Sequence, residues 1–155
     1  MKNREQIKIL VFIGLLLFYC VEVLAQDNKL SETTSVVHDA NDKDLQWGPC
    51  PDFMPQGCEI AVLHGDPAKK NVDILFKVPA GADIPNHAHT SAERMVLISG
   101  ELEVTYEGEP SQTLITGSYA YGPAKKAHTA KCGDSGPCVL FIAFEEPLDA
   151  YIIEK

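Results

Sequence analysis

The sequence predicts an all-β domain, either a sandwich or a closed barrel. Short apolar or alternating runs recur at roughly 8–12-residue spacing, each ended by Gly, Pro, Asn or Asp turn residues. No stretch of residues 26–155 carries the 3.6-residue apolar period of an amphipathic helix. A chain of 155 residues is the size of one domain.

Residues 1–25 stand apart. Lys2, Arg4 and Lys8 make a basic start, and Ile9 to Phe18 is an apolar run broken only by Gly14. Val23-Leu24-Ala25 supplies small residues where a signal peptidase reads them. This is the pattern of a secretory signal peptide cleaved after Ala25, and the apolar core is short for a membrane span. An uncleaved anchor is the alternative. Lipoprotein processing at Cys20 is disfavoured by the bulky Tyr19 before it. Residues 26–44 are polar, without helical or strand period, and read as a mobile arm in which His38 is solvated. The barrel domain is expected over 45–155.

The whole chain holds 13 basic and 22 acidic residues, net −9. Taking off the three basic and two acidic residues of 1–25 leaves 10 and 20, net −10. So acidic a chain repels phosphates and offers no polybasic face to anionic lipid, which excludes nucleic acid and, after cleavage, membrane as partners. Cys50, Cys58, Cys132 and Cys138 remain. An even count in an exported chain points to disulfides, and two local loops, Cys50–Cys58 and Cys132–Cys138, are the most economical of three pairings. A structural zinc site is the rival use, but the C-x2-C pairs of such sites are absent.

Turn-rich sequence surrounds Trp47, taken as a packing anchor, and runs to Cys58. Glu59–Leu63 reads as a short strand, with His64 in the Gly-Asp-Pro turn that ends it. Val72, Ile74, Phe76 and Val78 alternate with Asp73, Leu75 and Lys77, giving a half-buried strand. Met95–Ile98 is continuously apolar, as expected of a strand buried on both faces. Leu102, Val104 and Tyr106 alternate with Glu101, Glu103 and Thr105. A hairpin turn at 107–110 leads to a short strand at 113–116, and Tyr119 and Tyr121 alternate before Gly122-Pro123. Val139–Phe144 is a long apolar strand, and 148–153 reads as a final edge strand.

The chemistry concentrates in Gly81–Gly100, GADIPNHAHTSAERMVLISG. His87 and His89 are two apart, so on a strand both point to one face. Glu93 follows, and His128 on a later strand is the natural fourth ligand. Three imidazoles and a carboxylate suit a divalent transition metal such as Fe, Mn, Ni or Zn and leave positions open for substrate. Met95 and Leu97 share the parity of Glu93 and would wall the cavity, while Arg94 points away.

These residues resemble the cupin superfamily. Gly81–Gly100 fits its first motif, G-x5-H-x-H-x3-E-x6-G, at every fixed position, with Pro85 where cupins often carry proline. Gly117, Pro123 and His128 fit the second, G-x5-P-x-G-x2-H-x3-N, in which Lys125 replaces Gly and Cys132 replaces Asn. The resemblance covers roughly residues 60–145 and implies an antiparallel jelly-roll barrel, His87, His89, Glu93 and His128 as ligands, and a homodimer. It further implies an Fe-, Mn- or Ni-dependent dioxygenase acting on a small, often enolic or phenolic molecule, in which Glu93 takes up a proton. Tyr106, Tyr119 and Tyr121 are candidate pocket residues, and Tyr121 is assigned a catalytic role beside Glu93. An isomerase, lyase or hydrolase using the same site is the alternative. So is a non-catalytic zinc-binding module like the cupin half of certain anti-sigma factors. The expected location is the periplasm or the cell exterior.

Overall fold

The structure, a computed structural model, describes residues 34–154. The expected signal peptide and the start of the 26–44 arm lie outside the described residues. No α-helix occurs among the described residues. The strands are β1 (Trp47–Pro49), β2 (Glu59–His64), β3 (Val72–Val78), β4 (Asp83–Ala88), β5 (Glu93–Ser99), β6 (Glu101–Tyr106), β7 (Gln112–Ile115), β8 (Tyr119–Gly122), β9 (His128–Cys132), β10 (Cys138–Phe144) and β11 (Tyr151–Ile152). They form two antiparallel sheets, in the orders β1-β2-β3-β10-β5-β8 and β11-β4-β9-β6-β7. This is a jelly-roll barrel.

The interior follows from period-two alternation. Ile74 and Val78 of β3, Met95 and Leu97 of β5 and Leu140 and Ile142 of β10 meet Leu102 and Val104 of β6 across the barrel. Glu101 and Glu103 keep their carboxylates in water, as their parity demands. Between β5 and β6 the chain reverses at Gly100, whose φ of +85° and 2.8 Å approach of a notional Cβ to the Pro137 carbonyl exclude other residues.

The burial of β5 and of β3 departs from the sequence reading. Strand β5 is not buried on both faces: Ile98 is 37% exposed and Val96 is half-buried. Conversely, the outward face of β3 and β10 is covered. Leu75 and Val139 are buried there with Leu45 and Ala61, and Trp47, Ala40 and Phe141 pack against them. This small outer layer stops at β10, one strand short of β5. Ala40, within the expected arm, packs against this layer. The Asp42 amide donates to the Asp39 carbonyl at 2.9 Å and the Asn41 amide to the Asp39 carboxylate at 2.8 Å, so the chain is turned from Asp39 onward. Trp47 is the anchor expected, with the Lys77 ammonium 4.2 Å from its ring centre.

Both local disulfides form, Cys50–Cys58 and Cys132–Cys138. The second joins β9 of one sheet to β10 of the other, and both of its cysteines are fully buried. Cys132→Ser/Cys138→Ser is expected to lower stability by about 2–3 kcal/mol through the freed loop entropy. Denaturant titration checks this, and an unchanged midpoint would refute it.

Candidate metal centre

His87 lies on β4 through a local irregularity. Ile84 pairs with Ala130 and His87 with His128, so Pro85 and Asn86 stand opposite Thr129 alone. That β-bulge shifts the phase of β4, letting Ile84 and His87, three residues apart, both be buried. Pro85 has no amide hydrogen and fits the place where the ladder is broken. His89 sits just past the end of β4 rather than on the strand. Its ring still joins that of His87, with centroids 5.0 Å apart. His128 opens β9 and its ring is 4.1 Å from that of His87. Glu93 opens β5 from the opposite sheet.

Each imidazole is held by its outer nitrogen. Nδ1 of His87 bonds the Pro85 carbonyl at 2.8 Å, that of His89 the Asp149 carbonyl at 2.5 Å, and that of His128 the Lys126 carbonyl at 3.1 Å. A carbonyl only accepts, so Nδ1 carries the proton and Nε2 keeps its lone pair. One nitrogen from each ring falls in a group whose members all lie within 4.8 Å of one another. The Glu93 carboxylate closes the set, with Oε2 3.6 Å from His89 Nε2 and Oε1 3.4 Å from His128 Nε2. The Tyr106 hydroxyl donates to Glu93 Oε1 at 3.2 Å.

Burial sets the electrostatics. It pushes His87 down to about 4 and His128 down to about 3. The same desolvation raises Glu93 above the usual carboxylate range, against the pull of His89 and the Tyr106 hydrogen bond. Burial also raises Tyr106 far above an ordinary phenol, and the neighbouring Glu93 adds to this. Near neutral pH, His87 and His128 therefore present lone pairs and Tyr106 stays a donor. The three imidazoles suit a divalent first-row ion, which takes the lone pair of neutral imidazole as a ligand. The hydrogen bonds on Nδ1 are the kind that orient ligating histidines.

For metal-free protein the two lowered histidines fix the sign of an acid dependence. Between about 4 and 6.5 the unfolded chain binds protons at these positions that the folded chain refuses. Stability therefore rises with pH across that window and is lost as pH falls through it, by at most about 1.4 kcal/mol per pH unit for each histidine. Glu93, raised, opposes this above pH 4.5 with one group against two. Urea midpoints of the metal-free protein at pH 4.5 and 6.5 check the sign, which fails if the midpoint at pH 4.5 is the higher.

Tyr121 requires correction as a catalytic candidate. On β8, Gly122 is buried facing Glu93 and Ala120 shares its parity, so Tyr119 and Tyr121 point outward, 62% and 51% exposed. Tyr106, whose parity with Leu102 and Val104 was visible in the sequence, is the tyrosine at the site. Arg94 points away, paired with Glu145. His64 ends β2 exposed, and His38 lies 3.5 Å from Asp42.

Several supporting residues carry no motif. Asp149 offers its carbonyl to His89, while its carboxylate accepts from the Thr90 amide at 2.8 Å and the Thr90 hydroxyl at 2.5 Å. The fully buried Ser91 hydroxyl accepts the Glu145 and Glu146 amides at 2.9 and 3.1 Å. These bonds tie the corner between His89 and Glu93 to the chain after β10, across more than 50 residues of sequence. No local pattern could have announced them. Lys125, at the motif's second glycine, adopts the left-handed φ of 61° that glycine favours, and its amide donates to the His89 carbonyl at 2.8 Å. Lys125→Gly should therefore raise stability by up to about 1 kcal/mol, read as a higher thermal midpoint. A lower midpoint would count against strain at this position.

A cavity of about 400 Å³ opens beside these groups. Pro49, Pro51 and Met54 from the Cys50–Cys58 region and Leu148 to Ala150 from the C-terminal segment contribute to its wall. The Phe53 ring centroid lies 6.3 Å from that of His87.

Comparison with known proteins agrees with this architecture. Residues 33–147 match the family described as the ChrR cupin-like domain. No curated protein matches the sequence significantly. Among solved structures, the chain is similar to the polyketide cyclase RemF from Streptomyces resistomycificus, with TM-score 0.64 and 16% identity over 79% of this chain and 87% of that one. It is similar to the DMSP lyase DddQ from Ruegeria pomeroyi DSS-3, with TM-score 0.60 and 18% identity over 80% and 74%. A chain from the structures of the DMSP lyases RdDddP and RnDddQII gives TM-score 0.62 and 16% identity over 71% of this chain. This chain spans 63% of the length of that one. At such identities these likenesses concern the fold.

Proposed function

The chain belongs to the ChrR cupin-like family, and from that premise we propose that it is an exported metal-dependent protein acting on a small molecule. His87, His89, His128 and Glu93 would hold one divalent transition metal. The observation that carries this is the set of three imidazoles, each pinned through Nδ1 to a main-chain carbonyl and converging beside one buried carboxylate. Metal-free, that arrangement buries four ionisable groups together, which is costly without a partner ion. When bound, the metal would supply Lewis acidity toward a substrate oxygen. Tyr106 would hold Glu93 in place through its hydrogen bond, and the apolar wall would keep bulk water from the reacting molecule. The reaction assigned first is a dioxygenase-type oxidation. Export rests on the leader-like start of the sequence together with two disulfides, which persist in oxidising compartments. The homodimer stays part of this reading, and light scattering tests it.

The second reading is a zinc-holding module that turns nothing over. It is favoured by a family match that covers the barrel. Elemental analysis of protein purified from its exported form separates the two, followed by oxygen-electrode measurements with catechols, diketones and flavonols. Iron, manganese or nickel near one per chain, with oxygen uptake, supports the oxygenase. Zinc near one per chain without uptake overturns it in favour of the second reading. No bound metal under either condition overturns both.

A further inference from the structure

We propose that the molecule received by this site is uncharged and single-headed, an alkyl or aryl body whose oxygen donors are confined to one end. The inference deepens the reading above and rests on it, since the donor end is placed at the metal. Polar side chains lining the cavity are His87, His89, Glu93, His128 and Asp149. The first four are the ligand set, and the Asp149 carboxylate already accepts from the Thr90 amide and hydroxyl. Among the described residues, every other lining side chain is apolar, including Met54, Ile60, Phe76, Leu102, Leu140 and Phe144. Among the described residues no Lys, Arg, Ser, Thr, Asn, Gln or Tyr side chain lines it.

That absence decides between ligand classes. A sugar would bring several hydroxyls to a wall whose side chains, apart from Asp149 and the ligand set, offer no partner, at about 1–3 kcal/mol for each one left unsatisfied. Away from the metal end, a phosphate or a second carboxylate would meet no cationic side chain, and burying it unpaired costs more still. An alkyl or aryl body gains instead, by about 0.8 kcal/mol per buried methylene, or roughly fourfold in affinity. A volume of about 400 Å³ lies at the small end of ligand pockets, so the body is limited in size. The disulfide-closed segment supplies Pro51 and Met54 to this wall and so contributes to selecting the body.

The test uses the metal-loaded protein and the chelating series pentane-2,4-dione, heptane-3,5-dione and nonane-4,6-dione, with 5,7-dioxooctanoate, which carries a carboxylate at the end of the body away from the diketone, as the charged counterpart. Calorimetry should show the dissociation constant falling about fourfold for each added methylene until the cavity is full, and 5,7-dioxooctanoate binding far more weakly than the longer diketones. A flat series, or 5,7-dioxooctanoate binding as tightly as heptane-3,5-dione, would overturn the proposal. Phe76→Ser should weaken nonane-4,6-dione while leaving pentane-2,4-dione within about twofold. If that variant does not fold, the chain-length series on the unaltered protein still decides. If the protein takes up no metal, the functional reading fails separately. Naphthalene is then offered to the metal-free protein: binding supports an apolar body in this cavity, and no binding overturns it.

Discussion

His128→Ala protein, dialysed against a competing chelator, is expected to retain less than about a tenth of the metal held by the unaltered protein. Losing even a group that orients a ligand typically costs 10–100-fold in metal affinity, and a ligand itself costs at least that. His128 is the contact between the two parts of the site. Its ring lies 4.1 Å from His87 on the neighbouring strand, and its Nε2 lies 3.4 Å from the carboxylate that comes from the other sheet. Without it, His87 and His89 keep their main-chain anchors, but Glu93 loses one of its two imidazole neighbours. Folding should survive, because the β4–β9 and β6–β9 ladders are main-chain pairings that alanine preserves. The metal-free variant should also lose part of the acid sensitivity that His128 contributes. Elemental analysis beside a far-UV spectrum reads both. Full metal content in a folded His128→Ala protein would remove this residue from the centre.

What the sequence disclosed and what it withheld divide along a physical line. Strand positions were legible because a face against the interior imposes alternation, as in Leu102, Val104 and Tyr106. The positions of His87, His89, Glu93 and His128 were legible because the spacing within 81–100 and within 117–128 is a local property. The outer layer over Leu75 and Val139 was not, since its cover comes from residues 40–47, which carry no period of their own. The same cover made β10 apolar on both faces, whereas β5, reading much alike, lies beyond its reach. The bulge that turns His87 inward was also hidden, because it is a mismatch between two strands and not a pattern within one. Tyr121 was misassigned for a related reason. The parity of β8 is set by its pairing with β5, where Glu93 meets Gly122.

That pairing leads to the second large effect, Gly122→Ala. Gly122 does not have the positive φ that would call for glycine on backbone grounds. A glycine in an ordinary strand is a weakness, and alanine there is expected to stabilise by about 0.4–1 kcal/mol through the unfolded chain. Here the sign should reverse. A Cβ at this position would lie 2.5 Å from Glu93 Oε1, 2.5 Å from the Tyr106 hydroxyl and 2.6 Å from Glu93 Cγ. The carboxylate is buried between Tyr106 and two imidazoles, so it cannot swing away without leaving the site or pushing β8 off β5. Overpacking of this kind costs about 1–3 kcal/mol. If the carboxylate moves instead, metal affinity falls with it, by about 10–100-fold. The two costs can be told apart by pairing the change with Tyr106→Phe, which removes the oxygen at one contact. Alone, Tyr106→Phe should loosen Glu93 and weaken metal binding modestly; with Gly122→Ala it should restore part of the lost stability, giving a non-additive cycle. Metal titration and urea unfolding on the four proteins supply the numbers. A Gly122→Ala protein that is more stable and binds metal unchanged would show that Glu93 does not occupy the space against β8, and the carboxylate would then have to be placed elsewhere in the centre.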